Sequence, residues 1–369
     1  MSLPEKAYVA ALDSIYGFGY KTVTTVVNCF GSAEAAWFAG ESQIKDKGFS
    51  EGVKERLIFG RRQVNVEKLY DEVVAKGITF LTVFEPEYPE ELKCIPNPPA
   101  VLYIKGQLPD RFLMNVAIVG TRMATVYGAK TARRIAAQLA NKNICIVSGM
   151  ARGIDTSAHK GAIEAKGYTI AVLGCGVDVV YPPENGALAE EIQQHGALVS
   201  EFPLGTPPDK GNFPARNRII AGLSRAVVVV EAPLRSGALI TADFALDQGK
   251  EVFAVPGPIS SRSSEGCNHL IKDGAKLVQG VEDILEELWG VSAVEMMSDA
   301  AVPKSVPQVK LDPETKKILD LLSGGPVFLD ELGGYTGMSP AEINIVITKL
   351  ELGGFVYKAG GRIFSLNTK

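Results

Sequence analysis

The sequence predicts an α/β fold in which a parallel, doubly wound sheet forms the central domain. Between residues 112 and 290, short apolar runs alternate with amphipathic stretches, and Gly- or Ser-rich turns follow the runs. Continuous apolar runs of this length are typical of strands buried on both faces. Alternating strands and helices favour a parallel sheet, whose ligands bind outside the carboxyl ends of the strands.

The strands and helices of this domain follow from the pattern. Helices are indicated where apolar residues recur at helical spacing, over residues 127–139 and 239–246. Strands are predicted at the apolar runs Val116–Val119, Ile144–Val147, Thr169–Leu173, Ala197–Ser200, Ala226–Val230 and Val252–Val255. Glycines in the turns after these strands allow backbone N–H groups to approach an anion.

A chain of 369 residues is too long for one ordinary core, so we expect several domains. Residues 291–310 contain Pro303 and Pro307 without hydrophobic periodicity, which is typical of a linker. The predicted division is a helical module over 1–65, a connecting segment over 66–111, the sheet domain over 112–290, the linker over 291–310, and a winged helix over 311–369.

Both flanking modules have recognisable local patterns. The Gly17-Phe-Gly19 turn between two short helices resembles a helix-hairpin-helix motif, so residues 1–65 are predicted to be a helix-hairpin-helix or SAM-like module. Ser339 and Pro340 predict the start of a helix, and the glycine-bounded residues 353–366 predict a β-hairpin. Lys349 is the only basic residue of that helix. The pattern therefore favours a helix that contacts protein at least as much as one that contacts DNA.

Composition excludes several function classes. The five cysteines include no CxxC pair and the three histidines are scattered, so we expect no metal and no disulfide framework. No signal peptide or membrane-spanning apolar run is present, which predicts a cytoplasmic protein without membrane contact. Gly174-Cys-Gly176 lacks the third glycine of a dinucleotide fingerprint and no Walker A pattern occurs, so no cofactor is expected.

Titratable residues near the strand ends leave an enzymatic alternative open. Asp155 and His159 share one helical face, where one alternative is an acid–base pair. We instead interpret Asp155 as a helix N-cap beside a partly buried histidine. Glu201 and Glu231 follow strands, and we assign them orienting roles. The alternative is a nucleotide-hydrolysing Rossmann-like enzyme that uses Glu231 as its acid or base.

The segment Gly211–Arg225 contains three arginines and no acidic residue, and it leads into the strand at 226–230. Arginine forms bidentate contacts with phosphate oxygens, and an aromatic ring such as Phe213 can stack on a base. An arginine-rich strand edge of this kind favours a polyanionic ligand. The alternative is an amphipathic helix that exposes its arginines and buries Ile219 and Ile220.

Seven ordered strings resemble the DNA-processing protein A (DprA/Smf) family. They are Val119–Gly128, Ser148–Gly161, Tyr181–Asn185, Ser200–Pro203, Phe213–Gly222, Ser236–Ala242 and Val255–Gly257. The resemblance implies an extended Rossmann-like domain that binds and protects single-stranded DNA. Because the sequence contains no convincing catalytic constellation, we expect no enzymatic activity. It also implies a homodimer, and a role in loading the recombinase RecA during natural transformation.

The family's motifs place the nucleic-acid site on particular residues of this chain. We expect Arg122, Arg216 and Arg218 to neutralise phosphates in one pocket while Phe213 stacks on a base. The full set of predicted site residues is Gly120, Arg122, Ser148, Gly149, Arg152, Phe213, Arg216, Asn217, Arg218, Ser236, Gly237 and Thr241.

Overall fold

The structure is a computed structural model that forms two compact units, residues 1–296 and 297–369, which we describe separately. Within these units, none of the described helices is both long and apolar enough to cross a membrane. The predicted linker at 291–310 lies outside the described residues. Those are 3–109, 114–289, 318, 327–328, 332, 336, 338–352, 356–360 and 363–366.

Six helices begin the first unit, as expected for the helical N-terminal module. Helix α1 contributes a continuous buried surface from Ala7 to Leu12, against which α3 and α6 pack. Ser32 caps α3 by accepting a hydrogen bond from the Ala35 N–H at 2.9 Å. The helices are α1 (Glu5–Asp13), α2 (Tyr20–Phe30), α3 (Ala33–Phe38), α4 (Glu41–Lys45), α5 (Glu51–Gln63) and α6 (Val66–Ala75).

The rest of this unit alternates strands and helices around one sheet. Its first part comprises β1 (Thr79–Thr82), α7 (Glu90–Lys93), β2 (Val101–Gly106), β3 (Asn115–Val119), α8 (Val126–Ala140), β4 (Cys145–Ser148), α9 (Ile154–Glu164) and β5 (Thr169–Val172). Its second part comprises α10 (Gly186–Gln194), β6 (Gly196–Ser200), α11 (Asn212–Gly222), β7 (Ala226–Val229), α12 (Gly237–Asp247), β8 (Glu251–Ala254), α13 (Glu265–Lys272), β9 (Lys276–Leu277) and α14 (Val281–Trp289).

The sheet has nine strands in the order β1-β2-β6-β5-β4-β3-β7-β8-β9. The strands from β6 to β9 are parallel, while β2 extends the sheet by pairing antiparallel with β6. The chain runs from β3 outwards to β6 and then crosses back to place β7 beside β3. Ligands of doubly wound sheets bind at such a switch point, where the helices after the two strands diverge. The predicted fold class is confirmed.

Helix α11 replaces the arginine-rich strand edge expected over Gly211–Arg225. It also departs from the amphipathic alternative, because Arg216 is only 4% exposed and lies buried with Ile219 and Ile220. A buried guanidinium is tolerated where its N–H groups find acceptors. The sequence pattern could not predict this burial, since the two backbone carbonyls that accept from Arg216 belong to the turn after β4 and to the end of β5.

The second unit contains the predicted winged helix. Its described elements are β10 (Val327–Phe328), α15 (Pro340–Leu352), β11 (Val356–Gly360) and β12 (Ile363–Leu366), with strand order β10-β12-β11. Ser339 caps α15 reciprocally, since Glu342 Oε2 accepts from the Ser339 N–H at 2.8 Å and Ser339 Oγ accepts from the Glu342 N–H at 3.4 Å. The Ser339 contacts lower the pKa of Glu342.

Candidate nucleic-acid interface

A cavity of about 570 Å³ opens at the switch point between β3 and β7. Its walls come from the turn after β3, the turn after β4, the first turns of α11, and the turn between β7 and α12. Eight of the predicted site residues line it: Gly120, Arg122, Phe213, Arg216, Asn217, Ser236, Gly237 and Thr241.

Hydrogen bonds hold these walls in place. The Thr121 N–H donates to the Glu231 carbonyl at 2.7 Å, which fixes the turn after β3 against the end of β7. Asn217 Nδ2 donates to the Gly237 carbonyl at 3.1 Å and joins α11 to the start of α12. Ser236 caps α12, whose N-terminal residues line the cavity and add partial positive charge.

The charged residues of the cavity wall are predominantly cationic. They are Arg122, Lys210, Arg216 and Arg235, and among the described residues that line the cavity Asp155 is the only acidic one. In the part of the chain that the structure describes, no carboxylate oxygen lies within 4.0 Å of a cationic nitrogen of Arg122, Lys210 or Arg235. Such a concentration of uncompensated cations attracts polyanions.

Sequence reasoning missed Lys210 and Arg235. Each directly precedes a predicted site segment, because Lys210 stands before Gly211 and Arg235 stands before Ser236. A signal was therefore present in the sequence. Basic residues that flank a glycine-rich turn can line the same cavity as residues inside the motif.

The Phe213 ring lies at the centre of an aromatic and cationic cluster. The Tyr181 ring centroid is 5.4 Å from that of Phe213. The guanidinium carbons of Arg122 and Arg216 lie 5.2 Å and 6.0 Å from the Phe213 centroid. Since Arg122 is exposed and reaches over the ring from a different turn, a planar ligand can take its place beside Phe213.

The Arg216 guanidinium donates hydrogen bonds to backbone carbonyls. Its Nη1 donates to the Gly149 carbonyl at 2.9 Å and to the Val172 carbonyl, and its Nε donates to Asn217 Oδ1 at 3.2 Å. Burial lowers the pKa of the Arg216 guanidinium to about 10, and nearby Asp155 opposes that shift. The side chain is therefore cationic at neutral pH although it is buried.

Asp155 is not the N-cap that the sequence predicts. Gly153 is the N-cap residue of α9, and Asp155 is the second residue of the helix. Its Oδ2 instead accepts from the Gly149 and Ala151 N–H groups at 3.2 and 3.3 Å, which orders the turn after β4. Burial raises the pKa of Asp155 to about 6, against the opposing effect of Arg216.

His159 is a neutral, buried side chain. Thr169 Oγ1 donates its proton to the Ile146 carbonyl at 2.8 Å, so His159 Nδ1 donates to Thr169 Oγ1 at 2.7 Å. Burial, with Arg216 nearby, lowers the pKa of His159 to about 3. An acid–base partnership between His159 and Asp155 is therefore not supported.

The remaining four predicted residues lie outside this cavity. Ser148 is buried and its Oγ donates to the Ile118 carbonyl at 2.6 Å. Gly149 and Arg152 line a small adjoining pocket, where Arg152 forms an ion pair with Glu184. Arg218 donates to both Glu201 oxygens, at 2.8 and 2.6 Å, and lines a separate cavity with residues of α1 and α2. The structure thus does not place Arg218 in one pocket with Arg122.

The two glutamates considered as catalytic groups have structural contacts. Glu201 pairs with Arg218. The buried Glu231 carboxylate accepts from the Thr125 N–H at 2.9 Å and from Thr125 Oγ1 at 2.6 Å, and Glu231 does not line the cavity. Across the described residues, no cluster of three or more His, Cys, Asp or Glu side chains could hold a metal ion.

Comparison with known sequence families matches two regions of the chain. Residues 79–289 match the family described as DNA recombination-mediator protein A. Residues 302–362 match the DprA winged helix domain. The first match includes all four walls of the cavity.

Individual relatives agree with the family match. Protein Smf of Synechocystis sp. is 35% identical over 392 residues, which cover 98% of each chain. The X-ray structure of DNA processing protein A from Streptococcus pneumoniae superposes with a TM-score of 0.68 at 35% identity, covering 78% of this chain and 99% of that one. DNA processing protein A from Helicobacter pylori, whose structure describes a single-stranded DNA binding mode, gives a TM-score of 0.51 at 32% identity, covering 57% of this chain and 95% of that one. The chain therefore belongs to the DNA recombination-mediator protein A family, the DprA/Smf proteins.

Proposed function

We propose that this chain binds single-stranded DNA in the cavity at the switch point, as a binding protein without a catalytic step. The observation that carries the proposal is the combination of exposed, unpaired cations with an accessible aromatic ring in one cavity. Cationic grooves with stacking platforms are typical of proteins that bind single strands without strong sequence preference. The single-stranded DNA binding described for the H. pylori relative supports the same assignment.

Phosphates are assigned to the exposed cations. Arg122, Lys210 and Arg235 come from three different turns around the cavity mouth, so they can contact successive phosphates of a flexible strand. The N-terminal end of α12 supplies further N–H groups beside Gly237. This set replaces the predicted group of Arg122, Arg216 and Arg218.

Selectivity for single strands follows from Phe213. A base can reach the ring only when it is unpaired, and it displaces the Arg122 guanidinium, which is then free to contact a phosphate. Fluorescence anisotropy with labelled oligo(dT) and with a duplex of equal length tests the proposal. We expect clear binding of the single strand and much weaker binding of the duplex. Equal affinity for both, or no binding of either, would refute it.

Replacing Arg122 with Gln should weaken binding and reduce its salt dependence. Each neutralised phosphate of a single strand contributes about −0.7 to the slope of log K against log salt, so the slope should flatten by about that amount. Arg225→Gln is the matched control, because Arg225 is exposed and directly precedes β7, at the amino end of the strand whose carboxyl end borders the cavity. Titrations over a range of NaCl concentrations check this. An identical slope for Arg122→Gln and the unchanged protein would remove Arg122 from the phosphate contacts.

Affinity for single-stranded DNA should rise as the pH falls through about 6. Above its pKa of about 6, Asp155 carries the only negative charge of the cavity wall, and below it the wall gains one net positive charge. Arg216, whose pKa is about 10, faces the same cavity and does not titrate in this range, and His159 stays neutral. Anisotropy titrations at several pH values should show this rise in the unchanged protein and a flat profile in Asp155→Asn. A rise of equal size in both proteins would assign the effect to another group.

Protection of the bound strand, RecA loading and a homodimer are also part of the proposal. The description of the family as a recombination mediator supports a role in recombinase loading. Nuclease digestion of oligo(dT) with and without the protein tests protection. Co-sedimentation of RecA with DNA tests loading, and light scattering after size exclusion tests the homodimer.

A further inference from the structure

Arg216 differs from the other three cationic residues of the cavity wall. It is 4% exposed, whereas Arg122, Lys210 and Arg235 are exposed. Three of its hydrogen bonds go to groups of the protein itself, namely two backbone carbonyls and the Asn217 side chain. Because its N–H groups already donate these hydrogen bonds, the guanidinium has few donors left for a phosphate.

These contacts connect the parts of the cavity that surround Phe213. The Gly149 carbonyl follows β4 and the Val172 carbonyl ends β5, so one guanidinium joins two strand ends to α11. The turn after β4 lies directly on the guanidinium, because a Cβ atom at Gly149 would be 2.5 Å from Arg216 Nη2. Asp155 holds the N–H groups of the same turn. Arg216 also lies beside the Phe213 ring.

We infer that Arg216 is a positioning residue, which holds Phe213 and the turn after β4 in the geometry that receives a base, and that it is not a phosphate ligand. The inference rests on the proposed function, since it concerns the same cavity. Of the four cationic residues in the cavity wall, Arg216 then holds the structure in place, and the other three contact phosphates. It also predicts that Arg216 acts on DNA binding through the Phe213 ring.

The first test compares charge removal at two arginines. Arg216→Gln should lower the affinity for oligo(dT) and leave the slope of log K against log salt unchanged, whereas Arg122→Gln should flatten it by about 0.7. A flattened slope for Arg216→Gln would show that Arg216 contacts a phosphate and would overturn the inference. Thermal melting of both variants establishes that each is folded.

The second test displaces the guanidinium without changing its charge. In Gly149→Ala, the new methyl carbon would lie 2.5 Å from Arg216 Nη2, which is too close, so the guanidinium has to move. We expect a loss of affinity of about tenfold in the otherwise unchanged protein, within the range that one stacked base contributes. In the Phe213→Leu background, which has no aromatic platform, the same substitution should change the affinity less than about twofold. Equal losses in both backgrounds would mean a general structural role and would overturn the inference.

The two tests separate the inference from the proposed function. Failure of the unchanged protein to bind oligo(dT) contradicts the proposed function itself. Binding by the unchanged protein, with a flattened slope for Arg216→Gln or equal losses for Gly149→Ala, contradicts only the inference. If Arg216→Gln does not fold because the positive charge near buried Asp155 is lost, the Gly149→Ala comparison decides alone. Quenching of 2-aminopurine in the oligonucleotide reports base stacking, and it should fall in Gly149→Ala.

Discussion

Substituting Phe213 with Ala should lower the affinity for single-stranded DNA by about five- to 150-fold. Stacking of one base on an aromatic ring contributes about 1–3 kcal/mol, and the Phe213 ring lies in the cavity beside both Tyr181 and Arg122. The loss should exceed that for duplex DNA, whose bases are already paired. Anisotropy titration with both DNA forms gives the measurement.

The control for this substitution is Phe84→Ala, which removes a ring that is 42% exposed and does not line the cavity. It should leave the affinity unchanged. If Phe213→Ala bound single strands as well as Phe84→Ala does, the aromatic platform would have to be assigned to Tyr181 or abandoned. The salt slope of Phe213→Ala should equal that of the unchanged protein, since no charge is removed.

Gly153→Ala should destabilise the protein by about 2–5 kcal/mol and also weaken DNA binding. Gly153 has φ +78 and ψ −118, a region that side chains disfavour. A Cβ atom there would lie 2.3 Å from the Thr121 carbonyl oxygen and 2.8 Å from that of Arg122. Because both obstacles are backbone, the turn that carries Arg122 must shift. Urea denaturation gives the free energy of unfolding.

Gly249→Ala separates backbone strain from the steric conflict. Gly249 also has a positive φ, of +65, but a Cβ atom there would meet nothing within 4 Å. We expect a loss of only about 1–2 kcal/mol and unchanged DNA affinity. Similar unfolding free energies for the two variants would mean that the turn after β3 yields easily, contrary to the close packing around Gly153.

The sequence predicted the sheet because its signals are local. The runs at 116–119 and 226–230 are apolar and bounded by turn residues, and both became strands of the central sheet. The cavity was also anticipated, since glycine-rich turns after parallel strands must meet at one edge. Arg122 and Phe213, which were predicted to share one pocket, line the same cavity.

The sequence could not show which hydrogen-bond or ion-pair partner each side chain has. Arg216 and Arg218 stand two residues apart in one motif, yet on a helix they point in different directions, so Arg216 is buried in the cavity wall and Arg218 pairs with Glu201 in a separate cavity. The acceptors lie on other elements, far along the chain. Asp155 likewise binds the turn before its helix, which no N-cap pattern encodes.

The pairing of β3 with β7 determines at which stage of folding the cavity is complete. Val116 aligns with Ala226, about 110 residues later in the chain. Contacts between such distant residues require a large loss of chain entropy and tend to form slowly. Arg122 and Arg235 line one cavity only once those strands have paired, so a partly folded chain has no complete cavity. On the proposed function, a nascent chain that ends before β7 should therefore not bind single-stranded DNA.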